Sequence, residues 1–422
     1  MLRAGLPSGS STEAPKKQAL KIEYVLRWSF KSAIISSGKL EMDALKNRAR
    51  AFAEGILIMV CPVLLAIAFG QVNLKTEGNR FVRGSISPLA AVTLEAGIFP
   101  FLCLCGSKNL VDLYPKLSRC LFGASKLLIH LCALLQMALA CGILLLISMK
   151  NLLYLLFLIP FVALTLWRCY WSVKNGPMID ETRYQGCEDA LERSLDFSAA
   201  VTAILFLGLE GLAVRLYLHG HSSSAEGLDR LHVVSLGVSF ITCVVGVFIM
   251  LLGAVPPLIA DNGESTNMCR AVEILNVVLA IAIAMTVFLI ASAALKELAW
   301  LVFIPPLVSF MVWLFLILDG DGGNGRGQVK LASMELTKVT FTGFLAVSVP
   351  TFSNSSLNNY SHAFIALTAA AVITGLGWRL LTHTAAPSRA MEKAASVASF
   401  CAHLCVAAAV IPFATMAVNA LK

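Results

Sequence analysis

The stretch KNLLYLLFLIPFVALTLW, from Lys150 to Trp167, returns later in the chain as KELAWLVFIPPLVSFMVW, from Lys296 to Trp313. Laid over each other without a gap, the two stretches share lysine, phenylalanine, proline and tryptophan in one register, at Lys150/Lys296, Phe157/Phe303, Pro160/Pro306 and Trp167/Trp313. Matches of this kind are harder to obtain by chance in an apolar chain than matches of leucine or valine. The pattern therefore predicts an internal repeat in which Lys296 takes the place of Lys150.

The composition indicates a membrane protein. The 422 residues are 58% hydrophobic and only 14% charged, with a mean hydropathy of +0.78, whereas soluble globular chains carry about 25% charged residues. Many apolar runs reach or approach the ~20 residues that a helix needs to cross a bilayer. The sequence therefore predicts an all-α integral membrane protein whose immediate surroundings are membrane lipids.

Eleven apolar stretches are predicted to be transmembrane helices: 52–70, 85–105, 127–148, 152–171, 197–218, 233–255, 272–293, 299–317, 339–352, 362–381 and 395–417. The third and fourth form a tight hairpin, and the seventh and eighth copy that hairpin around Lys296. Moving the first stretch along the chain by the same offset lands on the fifth, and the ninth opens a third copy that stops one helix early. An even number of spans in each unit makes the units parallel. The sequence thus predicts a degenerate parallel 4 + 4 + 3 repeat.

This plan divides the chain into four regions. Residues 1–50 form a basic cytoplasmic N-terminal region that is partly disordered, and 51–196 form the first four-helix unit with a cytoplasmic loop. Residues 197–338 form the second four-helix unit with a Gly-rich cytoplasmic loop, and 339–422 form the truncated three-helix unit. In the first loop, CEDALERSLDF is predicted to be a short helix that runs into the fifth span.

The distribution of basic residues predicts the orientation. With a cytoplasmic N-terminus, 25 of the 33 Lys and Arg fall on the inner side and 8 on the outer side, each residue at a span end being counted with the adjacent loop. This bias favours a cytoplasmic N-terminus, in the plasma membrane or an endomembrane. It also explains the net charge of +8 without a nucleic-acid partner. Asn354 and Asn359 lie in sequons on the predicted outer side, which suggests glycosylation.

The cysteines and the motifs argue against several kinds of site. None of the 12 cysteines falls in a predicted outer loop, so we expect no disulfide bond. Cys401 and Cys405 share a helical face, but His403 points elsewhere and no second pair of ligands matches them, so no metal site is expected. The sequence lacks a Walker lysine loop and a dinucleotide glycine fingerprint. We therefore expect no cofactor and no enzyme activity.

Two carboxylates inside predicted spans are candidates for a substrate or ion site. Glu95 lies near the middle of the second span, and a charged group at that depth costs ~3 kcal/mol on insertion scales. It should therefore be protonated, paired or facing water, and Pro100 frees a backbone carbonyl nearby. Glu210 lies beside Gly208, which permits the close approach of a neighbouring helix. For both residues a structural hydrogen bond between helices is the alternative interpretation.

His130 and His403 are candidates for proton relays, with packed or hydrogen-bonded histidines as the alternative. Two functions follow from the sequence. The first is a transporter or channel-like protein for a small solute or ion, with a site built from the membrane carboxylates and proline-broken helices. The second is a non-transporting scaffold or regulator that acts through its cytoplasmic segments, as a homo-oligomer or with a protein partner at the cytoplasmic face.

Overall fold

The computed structural model describes residues 45–64, 80–107, 115–147, 156, 158–174, 188–219, 229–256, 262–319, 334–351, 358–382 and 389–420. These residues are 98% helical, and no strand occurs among them. The all-α class predicted from the sequence is therefore confirmed. The N-terminal region up to residue 44, the Gly-rich run that follows Asp319 and the sequon at Asn354 lie outside the described residues.

The helices follow one another along the chain, and a 3₁₀ segment joins α7 to α8. Their bounds are α1 (45–64), α2 (Arg80–Ser107), α3 (Pro115–Ile147), α4 (Leu158–Lys174), α5 (Glu188–His219), α6 (Asp229–Ala254), α7 (Asn262–Leu295), the 3₁₀ segment (Lys296–Phe303), α8 (Ile304–Leu318), α9 (Met334–Thr351), α10 (Asn359–Thr382) and α11 (Arg389–Ala420). The short helix predicted to lead into the fifth span is confirmed, because α5 begins at Glu188 and continues without a break.

Six stretches of the described chain are long and apolar enough to cross a membrane: Gly84–Leu104, Cys120–Leu145, Val234–Ala254, Asn267–Leu318, Asn359–Gly377 and Arg389–Met416. Two shorter apolar helices are Leu158–Trp171 and Ser194–Leu209. The chain is thus compatible with a multi-pass, membrane-embedded protein. The predicted count of eleven spans and the 4 + 4 + 3 repeat are not confirmed by these six stretches. Helices α4 and α8 nevertheless start at Leu158 and Ile304, which are matched positions when Lys150 is aligned with Lys296.

The helices enclose one main apolar core, and one face of α1 contributes to it. Phe52, Ile56 and Met59 of α1 are fully buried. Gly55 of α1 faces Met250 and Ala199, where an added Cβ would come within 2.8 Å of the Met250 Cε atom. The buried face of α1 therefore contacts α5 and α6. Close packing of this kind holds membrane helices together, because lipid tails are as apolar as the core.

The chain turns sharply between α7 and α8. Lys296 adopts a φ of 52°, in the left-handed region that costs a non-glycine residue roughly 1–2 kcal/mol. The 3₁₀ segment then folds back on α7, and the Phe288 and Phe303 ring centroids lie 4.9 Å apart. α8 packs mainly against α10 and α11. The turn predicted at Lys296 therefore runs through the 3₁₀ segment, and α8 leaves it toward later helices.

One cysteine contradicts the expectation that the chain has no disulfide bond. Cys269, near the start of α7, is disulfide-bonded, and its partner is not among the described side chains. Around it, Leu191 near the start of α5 packs with Val272 and Met268 of α7. The prediction of no disulfide bond was wrong because it considered only whether each cysteine lay in a predicted outer loop. Helix packing brings the starts of α5 and α7 together.

Candidate functional site

Glu95 lies on the exposed face of α2, in a row with Val92, Phe99 and Leu102. The opposite face of the helix carries the buried Thr93, whose backbone carbonyl accepts a hydrogen bond from the Cys132 Sγ of α3 at 3.4 Å. Glu95 therefore points away from the helices that α2 packs against. The structure does not bring it together with the other residues predicted to form a site.

The remaining predicted residues are also dispersed. Glu210 lies in α5, but its side chain is outside the described part of the structure. The close approach predicted beside it is confirmed at Gly208, where an added Cβ would be 2.8 Å from Leu345 Cδ1 of α9. His403 is exposed on α11, and its Nδ1 donates to the Ser399 carbonyl at 2.6 Å. Asn359 is exposed at the first residue of α10.

His130 is the one predicted residue whose described side chain lies in the interior, where it is only 2% exposed. Its Nδ1 donates a hydrogen bond to the Lys126 carbonyl at 2.8 Å. Its Nε2 is buried and has no hydrogen-bond partner among the described residues. Since the carbonyl can only accept, the proton of a neutral ring stays on Nδ1 and Nε2 presents a lone pair. The hydrogen bond from Nδ1 therefore fixes the orientation of the ring, and Nε2 is left able to accept a hydrogen bond.

Helix α4 packs against α3, the helix that carries His130. Phe161, Thr165 and Arg168 follow one another at helical spacing, and the first two are buried. The Phe161 ring packs edge-on against Phe248 of α6, with 5.9 Å between the ring centroids. Arg168 Nη2 donates to the Val255 carbonyl just beyond the end of α6. Carbonyl groups at the end of a helix lack partners within the helix, so Arg168 ties α4 to the end of α6.

Two basic side chains lie on the two helices of this region. Lys126 precedes His130 by one turn on α3, with its Nζ atom 4.2 Å from the centroid of the Phe122 ring, and Arg168 lies on α4, which packs against α3. The Thr165 hydroxyl, also buried, has no hydrogen-bond partner among the described residues. We call Lys126 and His130 of α3, together with Thr165 and Arg168 of the neighbouring helix α4, the basic cluster.

Most other polar side chains inside the bundle have partners. The Ser194 hydroxyl of α5 donates to Asn276 Oδ1 of α7 at 2.9 Å. Thr242 of α6 and Thr286 of α7 have hydroxyl oxygens 3.4 Å apart, and each also donates to the carbonyl one turn earlier. These pairs join helices and leave little capacity for a ligand. The basic cluster holds two of the buried polar atoms that have no partner among the described residues, His130 Nε2 and Thr165 Oγ1, and Gln136 Oε1, Thr202 Oγ1 and Ser292 Oγ are others.

Sequence reasoning found His130 but missed Thr165 and Arg168. The signal for Arg168 was present, since a charged residue lay within the predicted span 152–171 and such residues often mark functional paths. Nothing in the sequence indicated that the end of α6 would lie beside it. Within the described ranges no three His, Cys, Asp or Glu side chains converge in a way that would hold a metal ion.

The geometry of the basic cluster is the main guide to function. The chain matches no family model, no curated protein and no solved structure.

Proposed function

We propose that this chain is a multi-pass transporter or channel-like protein for a small solute or ion. We further propose that eleven spans in a 4 + 4 + 3 repeat form its membrane domain, with a cytoplasmic N-terminus. The apolar helices support the membrane setting, and the matched starts of α4 and α8 support the repeat. Apolar helices alone do not distinguish transport from other membrane functions, so the basic cluster carries the proposal.

The observation that supports transport is the pair of buried polar atoms without a partner among the described residues, His130 Nε2 and Thr165 Oγ1. Leaving such a group unsatisfied costs about 1–3 kcal/mol, and in native proteins it calls for an explanation such as a bound water or ion. Polar and ionisable residues within membrane spans are costly to keep and commonly line substrate or ion pathways. Both atoms lie on helices that pack together, α3 and α4.

A non-transporting scaffold is the alternative, and the bonded pair Ser194–Asn276 favours it. Such contacts fix helix positions and need no solute. A scaffold would also tolerate a basic cluster that is permanently filled by water. The two functions differ in one respect that can be measured, because only a transporter moves a solute across a sealed membrane.

The experiment is flux in liposomes that contain the purified full chain. A panel of labelled small anions, cations and neutral solutes is compared with protein-free liposomes. We expect uptake of at least one solute, lost in His130→Gln and kept in His403→Gln, which changes an exposed histidine with the same type of carbonyl contact. Glu95→Gln and Glu210→Gln, separately and together, test the two carboxylates predicted from the sequence.

Two outcomes would reject this proposal. The absence of uptake above protein-free liposomes for the whole panel would favour the scaffold. Uptake that persists unchanged in both His130→Gln and Thr165→Val would show that the solute does not pass the basic cluster.

A further inference from the structure

We propose that the outward face of α2 is the contact between two copies of this chain, with the Glu95 carboxyl group of each copy hydrogen-bonded to that of the other. This face is the exposed row that runs through Val92, Glu95, Phe99 and Leu102. The supporting observations are the depth of Glu95 in its span, the side of the helix on which it lies and its lack of a partner among the described residues. The contact goes beyond the proposed transport, because a scaffold would form it in the same way.

Glu95 lies at the middle of its span. The apolar stretch Gly84–Leu104 has 21 residues, so Leu94 is its central residue and Glu95 follows directly. About ten residues of helix, or roughly 15 Å, separate Glu95 from either end of the span, which is farther than a glutamate side chain reaches. An exposed carboxyl group at this depth meets hydrocarbon, which offers no hydrogen-bond partner. It is therefore costly to keep unless another group pairs with it.

The rest of the described bundle lies on the other side of α2. Gly97 follows Glu95 by two residues and points to the opposite face, where an added Cβ would be 2.9 Å from Ile56 Cγ2 of α1 and 3.3 Å from Cys132 Sγ of α3. Only 33% of the most apolar part of this span is buried, against 72% for Val234–Ala254 of α6. Within the described part of the chain α2 is therefore a peripheral helix, with Glu95 on its outer side.

Glu95 forms no hydrogen bond and no ion pair with a described residue. Two other polar side chains that are exposed on spans differ in this respect. Glu54 of α1 accepts a hydrogen bond from Arg50 at 2.8 Å, and His403, near the middle of the span in α11, bonds to the Ser399 carbonyl of its own helix. The partner of Glu95 therefore has to come from outside the described ranges.

A second copy supplies a matching group at the right depth. Two copies in one membrane share an orientation, so a two-fold axis along the membrane normal brings like residues to the same level. A protonated carboxyl group carries an O–H donor and acceptor oxygens, so two of them form mutual hydrogen bonds. The pair is neutral and avoids the desolvation cost that an ion pair carries in hydrocarbon.

The surface beside Glu95 permits a close approach. Gly84 and Ala91 are exposed on the same side of the helix by their spacing, and no described atom lies within 4 Å of a Cβ at Gly84. Small residues of this kind are common where membrane helices meet. They support the contact that the unpaired carboxyl group indicates.

The test measures association in a bilayer. Donor-labelled and acceptor-labelled samples of the full chain are reconstituted together in phosphatidylcholine liposomes over a range of protein-to-lipid ratios. We expect energy transfer that saturates and that excess unlabelled protein reverses. Glu95→Leu should weaken association by roughly tenfold, the effect of two hydrogen bonds of the usual strength between membrane helices. Glu95→Gln should keep it, because an amide is also both donor and acceptor.

A control and a cross-linking experiment locate the contact. His403→Leu removes an exposed polar side chain near the middle of another span, and its association should equal that of the natural protein. Val92→Cys, on the same row as Glu95, should give more oxidised dimer than the natural protein does. Ala96→Cys should give no such increase, because Ala96 is buried against the bundle.

Four results would overturn this contact. Energy transfer no greater than random encounters at every ratio would exclude a second copy, and association unchanged in Glu95→Leu would assign the contact to another face. Loss of association in Glu95→Gln as well would indicate an ionised carboxylate paired with a cation. A large loss of unfolding free energy in Glu95→Leu, in mixed micelles that separate the copies, would show that an undescribed segment of the same chain covers Glu95.

Discussion

Thr202 of α5 lies so close to Gly246 of α6 that a Cβ at position 246 would be 2.9 Å from the threonine Cβ and closer still to the threonine hydroxyl oxygen. The two helices therefore approach closely at a position where one side chain is absent. Glycine at such contacts lets membrane helices pack backbone to backbone. The first prediction follows directly from this contact.

Gly246→Ala should lower the free energy of unfolding by about 1–3 kcal/mol, because overpacking forces the two helices apart. Unfolding by SDS in mixed micelles measures the change. Gly123→Ala is the matched control, since nothing lies within 4 Å of a Cβ at that position, and alanine there should be neutral or slightly stabilising. Equal effects at positions 246 and 123 would contradict the close contact.

A double-mutant cycle should detect coupling between Ser194 and Asn276, which join α5 to α7 at 2.9 Å. We expect Ser194→Ala and Asn276→Ala to be non-additive by about 0.6 kcal/mol, the average found for hydrogen bonds between membrane helices. Unfolding of the two single variants and the double variant supplies the number. Strict additivity would mean that the bond contributes nothing to the fold.

Glu95→Leu should leave unfolding within about 0.5 kcal/mol of the natural protein, because an exposed residue without packing contacts has little effect on stability. Thr93→Leu is the contrasting variant on the same helix, since Thr93 is fully buried and a larger side chain would disturb the contact of α2 with α3. If Glu95→Leu were as destabilising as Thr93→Leu, the carboxylate would have to contact another chain or an undescribed segment.

Cys269→Ser should destabilise the isolated, oxidised protein by about 2–4 kcal/mol, the usual contribution of a disulfide. Cys120→Ser is the control, because Cys120 is exposed and free. Alkylation before and after reduction, read by mass spectrometry, should show Cys269 protected only before reduction. If Cys269 were alkylated without prior reduction, the protein would not contain this disulfide bond.

Asn359 should carry a glycan if the orientation predicted from the basic residues is correct. Glycosidase treatment of the protein from eukaryotic cells should then increase its electrophoretic mobility. Asn359→Gln should reduce this shift, and any shift that remains comes from a glycan on Asn354.

In the eleven-span arrangement the starts of α7 and α10 lie on opposite faces of the membrane. A glycan at Asn359 would therefore place Cys269 on the reducing side, and we expect its disulfide bond in the isolated protein rather than in cells.

The positions of the helices could be predicted from the sequence, whereas the faces that they bury could not. The predicted span 233–255 and the observed α6, Asp229–Ala254, differ by a few residues because hydropathy alone places a long apolar helix. The same apolar character surrounds Glu95 on every side of α2. A membrane helix is apolar toward both lipid and core, so no periodic pattern indicates that Glu95 is exposed.

The basic cluster could not be predicted from the sequence, because its residues lie on different helices. His130 and Arg168 lie on different helices, and the Val255 carbonyl that holds Arg168 lies far along the chain, beyond the end of a third helix. No spacing rule connects positions on three helices. The sequence could show that a histidine and an arginine lie within apolar stretches, but only the packing of the helices shows that His130 is buried and that Arg168 reaches the end of α6.

The association of α8 with α11 sets an order of events during synthesis. Trp313 of α8 packs on Ala394, Ala395 and Ala398 of α11, and α8 begins at Ile304 whereas α11 begins only at Arg389. At ribosomal rates of about 5–20 residues per second, roughly 4–17 s pass between the two helices. Until then the part of the apolar surface of α8 that α11 covers has only lipid, the translocation machinery or a membrane chaperone against it, although α10, which begins at Asn359, reaches α8 earlier. Maturation of this part of the bundle therefore waits for the last helix.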